Sequence, residues 1–165
     1  MIAVRRMSSE DISGTAALFQ EMQAHYRVAC PSLDEITAKL AKLPEGVSVL
    51  VAADPGVIGF AAVGGVFPGP GLKPGLFLKE LFVSATARGS GAGTALMRAA
   101  ARFAVERGFA RLDWTADCGN ARLLDFYRAT GAVEQSEKIF FRLTDQALTR
   151  CAAARPGGSS EEDAN

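Results

Sequence analysis

The chain has 165 residues, of which 48% are hydrophobic and 22% are charged, and its 18 basic residues balance its 18 acidic ones. This length and composition are typical of one globular domain with a buried core of its own. A net charge of zero excludes an overall electrostatic attraction to nucleic acid or to an anionic membrane, and leaves room only for a local basic patch.

The hydrophobic spacing and the turn residues predict elements in the order β-α-α-β-β-β-α-β-α-β. The strands are predicted at residues 2–5, 47–53, 57–67, 76–83, 110–116 and 138–143. The helices are predicted at residues 8–26, at 32–43, from Ser90 or Gly91 to Arg107, and at 120–130. This order is neither a strict alternation nor a segregation of strands from helices, so we expect an α/β (mixed α+β) fold whose mixed sheet carries helices on its faces.

Local signals support several of these boundaries. Ser8 or Ser9 caps the first predicted helix, and Ser32 with Glu35 has the form of a capping box. We expect a single domain over residues 1–150. Residues 151–165 are expected to be a disordered tail, because their polar composition offers little to a core.

The chemistry-bearing residues exclude several kinds of site. Cys30, Cys118 and Cys151 are odd in number and widely spaced, which indicates reduced thiols rather than disulfides or a zinc site. The single histidine, His25, leaves little material for a metal centre or a Ser-His-Asp triad, so no metal is expected. There is no apolar stretch of signal-peptide length at the N-terminus and no run of about 18 apolar residues. We therefore expect a cytoplasmic protein that binds neither membrane nor nucleic acid.

A glycine-rich segment precedes the third predicted helix. Residues 87–94 read ARGSGAGT, with Gly89, Gly91 and Gly93 at every second position. A helix N-terminus has unpaired N–H groups and partial positive charge, and glycine lets the backbone approach a ligand, so the segment suits phosphate. Arg88 adds a fixed positive charge. A turn without a ligand is the alternative, and the spacing matches neither a dinucleotide fingerprint nor a Walker loop.

Downstream residues favour the phosphate interpretation. The chain reads Glu80-Leu81-Phe82-Val83, then Arg88-x-x-Gly91-x-Gly93, then Asn120-x-x-Leu123-x-x-Phe126-Tyr127-x-x-x-Gly131-Ala132. This pattern resembles the GCN5-related N-acetyltransferase (GNAT) family over residues 76–143, and more loosely its diamine (spermidine/spermine) acetyltransferase-like branch. Leu123, where many members have alanine, and Cys118-Gly119 before Asn120 are departures. The resemblance implies the acyl-CoA N-acyltransferase fold, with a central, mostly antiparallel twisted sheet flanked by helices.

The resemblance also implies a role for each matching residue. Leu81, Phe82 and Val83 would pair with the pantetheine arm of acetyl-CoA, and a backbone N–H there would polarise the thioester carbonyl. The pyrophosphate would be held by Arg88, Gly89, Ser90, Gly91, Ala92, Gly93 and Thr94. Asn120 would bind the pantetheine region, and Tyr127 would protonate the departing sulfur.

The role of Tyr127 is also reasonable chemically. A phenol has a pKa of about 10 and a thiol about 8.5, so the transfer of a proton between them is nearly matched. The alternative is an aromatic ring that packs under the sheet with its hydroxyl hydrogen-bonded.

A group that accepts the amine's proton is less clearly marked. Glu80 lies in phase with Leu76, Leu78 and Phe82 on its predicted strand, and would bind a cationic amine or relay its proton through water. A surface carboxylate paired with a lysine is the alternative. Weaker candidates for the acceptor side are Asp113, Asp117 and His25, and Cys118 is not needed as a nucleophile in direct transfer.

These observations predict an acetyl-CoA-dependent N-acetyltransferase that acts on a primary amine of a small molecule, such as a polyamine or an amino-acid-like amine, by direct attack in a ternary complex. A protein or peptide acceptor, and a non-catalytic acyl-CoA-binding regulatory module, remain alternatives. Residues 20–40 and the loop at 67–75 are expected to select the acceptor. Edge strands and apolar faces lead us to expect a homodimer.

Overall fold

The computed structural model describes residues 1–153, so most of the predicted tail lies outside the described residues. Within this part, the chain forms two compact units, one over Met1–Ala116 and one that begins at Asp117. The helices of the first unit are α1 (Ile12–Tyr26), α2 (Leu33–Ala41) and α3 (Ala92–Glu106). Those of the second are α4 (Ala121–Arg128) and α5 (Asp145–Ala153). None of the helices in residues 1–153 is long and apolar enough to cross a membrane.

The first unit is built on a five-stranded sheet in the order β1-β2-β3-β4-β5. The strands are β1 (Ala3–Arg6), β2 (Val47–Ala53), β3 (Val57–Val66), β4 (Gly75–Val83) and β5 (Leu112–Asp113). The first four pair antiparallel, and β5 runs parallel to β4. This arrangement confirms the predicted mixed, mostly antiparallel sheet flanked by helices.

Local hydrogen bonds explain where the first helices begin. The Ser32 hydroxyl accepts from the Glu35 N–H at 3.3 Å, and the Glu35 carboxylate accepts from the Ser32 N–H at 2.9 Å, as the capping box predicted. A short 3₁₀ turn over Ser9–Asp11 leads into α1. The Asp11 carboxylate accepts from the Ser8 N–H and from Arg5, which ties the start of α1 to β1.

The core lies between the sheet and the helices on its two faces. On one face, Leu18 and Met22 of α1 pack against Val51, Phe60 and Phe82, all of which are almost fully buried. On the other face lies α3, and its fully buried Leu96 reaches β3 beside Gly59. Burial of one apolar stripe per helix on a two-sided sheet is the usual basis of such a layered fold.

A β-bulge in β4 changes the phase predicted for Glu80. Ala62 of β3 is opposite Glu80, but its neighbour Val63 is opposite Leu78, so Lys79 is an extra residue on β4. Consecutive residues of β3 point to opposite faces, and directly opposite residues share a face. Glu80 is therefore in phase with Phe82, as predicted, but not with Leu76 and Leu78. The predicted phase was wrong because simple alternation fails at a bulge.

The last two predicted strands also need correction. The strand predicted at 110–116 is present only as Leu112–Asp113. Residues 138–143 form no strand in the described structure, and Phe140 and Phe141 are exposed. An apolar, β-prone run becomes a strand only where a neighbouring strand pairs with it, and no described strand pairs with this one. The helix α5 was not predicted.

Candidate active site

The end of β4 has a free edge. β5 pairs with β4 only at Leu76 and Phe77, so none of the described strands continues along that edge to Val83. The Ser84 N–H donates to the Ile58 carbonyl of β3 at 2.9 Å. In an antiparallel strand, the backbone N–H and C=O groups of successive residues point alternately to the two edges. The backbone groups of Phe82 therefore point to β3, whereas those of Leu81 and Val83 point to the free edge. Of the three predicted residues, Leu81 and Val83 carry the available donors.

The glycine-rich segment leads directly from this edge into α3. Gly91 is the residue that precedes the helix, and its φ of 91° is in the left-handed region that favours glycine. A glycine provides no side-chain acceptor for the first N–H groups of α3, and the Ala92 N–H has only a long contact with the Ser90 hydroxyl at 3.4 Å. The N-terminus of this 15-residue helix therefore presents backbone N–H groups and partial positive charge. Phosphate oxygens are the ligands that suit such a site.

Arg88 and His25 both lie near the ring of Phe82. The Arg88 guanidinium is 5.9 Å from the centroid of the Phe82 ring, and the His25 ring is 6.5 Å from it. Both residues are exposed, and Phe82 is buried. The C-terminal end of α1 thus lies beside the end of β4. The prediction that residues 20–40 select the acceptor stays a prediction.

The loop at 67–75 lies elsewhere. It joins β3 to the beginning of β4, and β4 is nine residues long. At about 3.3 Å per residue, the two ends of β4 are roughly 26 Å apart. The Arg111 side chain packs against Gly69 and Gly75 of this loop and pairs with Asp113 at 2.5 Å. This loop and Asp113 thus lie at the opposite end of β4 from Val83, and the prediction that they border the acceptor stays a prediction.

Glu80 pairs with its neighbour on β4. The Lys79 ammonium donates to the Glu80 carboxylate at 3.0 Å, and the Glu80 side chain is 29% exposed. This is the pairing that the sequence left open as an alternative. A partly exposed pair of this kind exchanges readily, so a cationic amine can compete with Lys79 for the carboxylate.

The second unit carries Asn120 and Tyr127 on one short helix. The Asn120 side-chain oxygen accepts from the Leu123 N–H at 3.1 Å and so caps α4. Tyr127 is half-buried, and its ring centroid is 5.1 Å from that of Phe126. Asp117 closes a turn by accepting from the Gly119 N–H at 2.8 Å, and Cys118 is exposed. Capping accounts for one hydrogen bond of Asn120, and the predicted roles of Asn120 and Tyr127 toward acetyl-CoA stay predictions.

One contact near this site could not be predicted from the sequence. The Glu21 carboxylate of α1 accepts a hydrogen bond from the Ala85 N–H at 2.7 Å, across 64 residues of chain. Among the described residues, no group of three or more His, Cys, Asp or Glu side chains is arranged to hold a metal ion.

A comparison with protein families decides the classification. The model of the acetyltransferase (GNAT) family matches residues 15–132, which include most of α1, the free edge of β4, the glycine-rich segment and α4. The chain belongs to the GNAT family. This membership confirms the family and the fold that were predicted from the sequence.

Known proteins resemble this GNAT chain to different extents. It is 32% identical over 106 residues to L-ornithine N5-acetyltransferase NATA1 of Arabidopsis thaliana, a match that covers 64% of this chain and 44% of that protein. The chain thus spans less than half of the length of this curated relative. The integron cassette protein VCH_CASS6 from V. cholerae superposes with a TM-score of 0.83 at 31% identity, over 93% of this chain and 98% of that one.

A solved structure with lower sequence identity shares the fold alone. The aminoglycoside acetyltransferase meta-AAC0020 from an uncultured soil metagenomic sample, solved with sisomicin, superposes with a TM-score of 0.70 at 22% identity. The superposition covers 87% of this chain and 97% of that one.

Proposed function

We propose that the protein transfers an acetyl group from acetyl-CoA to a primary amine of a small molecule, by direct attack in a ternary complex. The observation that carries the proposal is the continuity, within one compact unit, between the free edge of β4 and the glycine-capped N-terminus of α3. A strand edge binds an extended amide-bearing chain, and a helix N-terminus binds phosphate. Acetyl-CoA carries both of these groups in series.

The protein groups would divide the coenzyme between them. The N–H groups of Leu81 and Val83 would pair with the pantetheine arm and its thioester carbonyl. The N-terminal N–H groups of α3, with the preceding glycine-rich loop, would hold the pyrophosphate, and Arg88 would add a charge that a phosphate accepts in a bidentate manner. Asn120 would contact the pantetheine region through its amide N–H₂, since its oxygen caps α4.

The reaction needs two proton movements. The amine nitrogen attacks the carbonyl carbon of the thioester, and negative charge develops on the oxygen, where a preplaced N–H donor lowers the barrier. The carbon–sulfur bond then breaks, and Tyr127 would donate its proton to the leaving thiolate. Glu80 would accept the proton that the attacking amine loses, directly or through water. The products are the amide and free coenzyme A.

The names of relatives support a small amine as the acceptor. One relative is an ornithine acetyltransferase and a structural neighbour is an aminoglycoside acetyltransferase, and both named substrates carry primary amines that are cationic at neutral pH. Glu80 lies near the buried Phe82, on the face of the sheet that packs against α1, and would supply a carboxylate for such an amine. A polyamine or an amino-acid-like amine therefore fits best. A peptide acceptor and a non-catalytic acyl-CoA-binding module are the outcomes that the experiments must separate.

Coenzyme binding is tested with a matched pair of glycine variants. Gly91 and Gly108 both have positive φ, 91° and 73°, and neither has an atom within 4 Å of the position of an added Cβ. They lie at opposite ends of α3, so Gly91→Val and Gly108→Val introduce similar backbone strain. Calorimetry should show that acetyl-CoA binds wild type and Gly108→Val alike, whereas Gly91→Val binds at least about tenfold more weakly. Equal affinities for the two variants would refute the phosphate site.

Catalysis is tested by thiol release in a screen of amines and peptides. Turnover with small amines supports the proposal, turnover only with peptides identifies a peptide acetyltransferase, and coenzyme binding without turnover indicates the regulatory module. With a substrate in hand, Tyr127→Phe should lower kcat by about 10²-fold or more, the usual contribution of a general acid, while the Kd for acetyl-CoA stays the same. An unchanged kcat would exclude Tyr127 as the acid.

Two further expectations belong with this proposal. Equilibrium sedimentation at micromolar concentration should show a homodimer. Cell fractionation should find the protein in the cytoplasm.

A further inference from the structure

Glu21 of α1 is hydrogen-bonded to the segment that connects β4 to the glycine-rich loop. Its carboxylate accepts from the Ala85 N–H at 2.7 Å, and the Glu21 side chain is half-buried. Ala85 begins a single 3₁₀ turn, Ala85–Ala87, whose preceding residue Ser84 makes no side-chain capping bond. Glu21 therefore satisfies, from a distant part of the chain, an N–H group that a local cap would otherwise satisfy.

The capped turn is the first in a series that ends at the helix N-terminus. The Ala87 N–H donates to the Ser84 carbonyl at 2.9 Å, and the Ser90 N–H donates to the Ala87 carbonyl at 3.3 Å. Gly91 then begins α3. Each turn depends on the one before it, so the position of Ala85 influences the direction in which the loop enters the helix.

A second contact from the same face of α1 reaches the same place. Glu21 and His25 are four residues apart and so share one face of the helix. The His25 ring lies 6.5 Å from the ring of Phe82, and that ring also lies 5.9 Å from the guanidinium of Arg88. α1 thus contacts the junction between β4 and the loop at two points, of which only Glu21 makes a directed hydrogen bond to the loop backbone.

We propose that Glu21 is a positioning residue that holds the loop over residues 84–91 in the arrangement that binds the pyrophosphate of acetyl-CoA. The inference rests on the proposed coenzyme site. Apart from Arg88, the loop consists of small residues and the glycines Gly89 and Gly91, and such residues allow many backbone conformations in the free protein. The hydrogen bond lowers the number of conformations that the loop samples before the coenzyme arrives, and so improves affinity without a contact to the coenzyme.

The test compares Glu21→Leu, which removes the acceptor, with Glu21→Gln, which keeps a side-chain oxygen. Gln20→Leu serves as the control, because Gln20 is also half-buried on α1 and its side chain makes no hydrogen bond with residues 1–153. For each variant, calorimetry measures the Kd for acetyl-CoA, and hydrogen exchange in the free protein measures the protection of the Ala85 amide. Thermal unfolding establishes that each variant is folded.

The variants should differ in their affinity for acetyl-CoA. Glu21→Leu should raise the Kd for acetyl-CoA about tenfold, and its Ala85 amide should exchange faster. The Kd for acetyl-CoA of Glu21→Gln and of Gln20→Leu should stay within about twofold of the wild-type value. A change of that size is small compared with the effect expected from the loss of one hydrogen bond. In the thiol-release assay, the KM for acetyl-CoA should rise in Glu21→Leu while kcat at saturation changes little.

Two results overturn the inference. The first is a Glu21→Leu variant that binds acetyl-CoA as wild type does. The second is a Glu21→Gln variant that is as weak as Glu21→Leu, since a retained acceptor would then have no effect. If wild type itself does not bind acetyl-CoA, the proposed function fails, and protection of the Ala85 amide still reports whether Glu21 orders the loop.

Discussion

Replacement of Asp11 by asparagine should destabilise the protein at neutral pH and have little effect at pH 2. Asp11 is 5% exposed and precedes α1. Hydrogen bonds from Arg5, together with those from the Ser8 N–H and hydroxyl, lower the pKa of the Asp11 carboxyl from 3.8 to about 2. The native state therefore holds the ionised carboxylate more tightly than the unfolded chain does.

The magnitude follows from that difference in pKa. Each pKa unit corresponds to about 1.4 kcal/mol, so a decrease from 3.8 to about 2 corresponds to about 2 kcal/mol. Arg5 is 48% exposed, and solvent screens its interaction, so about 1–2 kcal/mol is the expected contribution. Because the pKa is lowered in the folded state, this stabilisation is complete above about pH 5 and is lost as the pH falls through 3.8 toward 2.

The assay is urea unfolding of wild type and Asp11→Asn between pH 7 and pH 2. At pH 7 the variant should have a free energy of unfolding lower by about 1–2 kcal/mol, and the two curves should converge near pH 2. Glu10→Gln, a change at the exposed neighbouring carboxylate, serves as the control and should follow wild type. A difference between wild type and Asp11→Asn that is the same at pH 7 and pH 2 would refute the ionic origin of the effect.

Three further substitutions have defined outcomes. Thr15→Val should raise the free energy of unfolding, measured by urea unfolding, by about 1 kcal/mol, because the fully buried Thr15 hydroxyl has no hydrogen-bond partner in the described structure. A lower urea midpoint would contradict this prediction. Gly59→Ala should lower the free energy of unfolding by about 1–3 kcal/mol and weaken acetyl-CoA binding, because the added Cβ would lie 2.9 Å from the Phe82 carbonyl oxygen at the end of β4. An unchanged Tm and an unchanged Kd for acetyl-CoA would show that the strand adjusts freely. Asn120→Ala should lower the free energy of unfolding by about 1 kcal/mol, because it removes the cap of α4. Asn120→Asp should keep the cap but lose the amide donors. A wild-type KM for acetyl-CoA in Asn120→Asp would exclude the pantetheine contact.

Much of the first unit was predictable because its boundaries depend on residues close in sequence. The capping box at Ser32 and Glu35 and the exact span of β2 were confirmed, and α3 begins at Ala92, within two residues of the predicted start at Ser90 or Gly91. Caps, turns and helix starts use hydrogen bonds between residues that are two to four positions apart, so the sequence displays both partners together. The family could be predicted for the same reason, since its motifs are short and occur in a fixed order.

The candidate site was predictable only in part. The sequence marked Leu81, Phe82 and Val83 together, but the register with β3 separates Phe82 from the other two. Simple alternation placed Glu80 on the same face of β4 as Leu78, whereas the bulge at Lys79 puts the two residues on opposite faces. Nothing in the alternation of residues reveals this bulge. The sequence contained no indication of Glu21, whose partner is 64 residues away.

The sequence by itself thus determined the order of the helices and strands as far as α4, most helix starts, the family and the glycine-rich entrance to α3. The tertiary structure alone decided which backbone groups of β4 face the free edge, how short β5 is, and that Glu21 of α1 is hydrogen-bonded to the segment between β4 and α3. It also decided that residues 138–143 do not form a strand. The physical reason is that pairing, register and packing depend on groups supplied by distant parts of the chain, which only the folded molecule brings together.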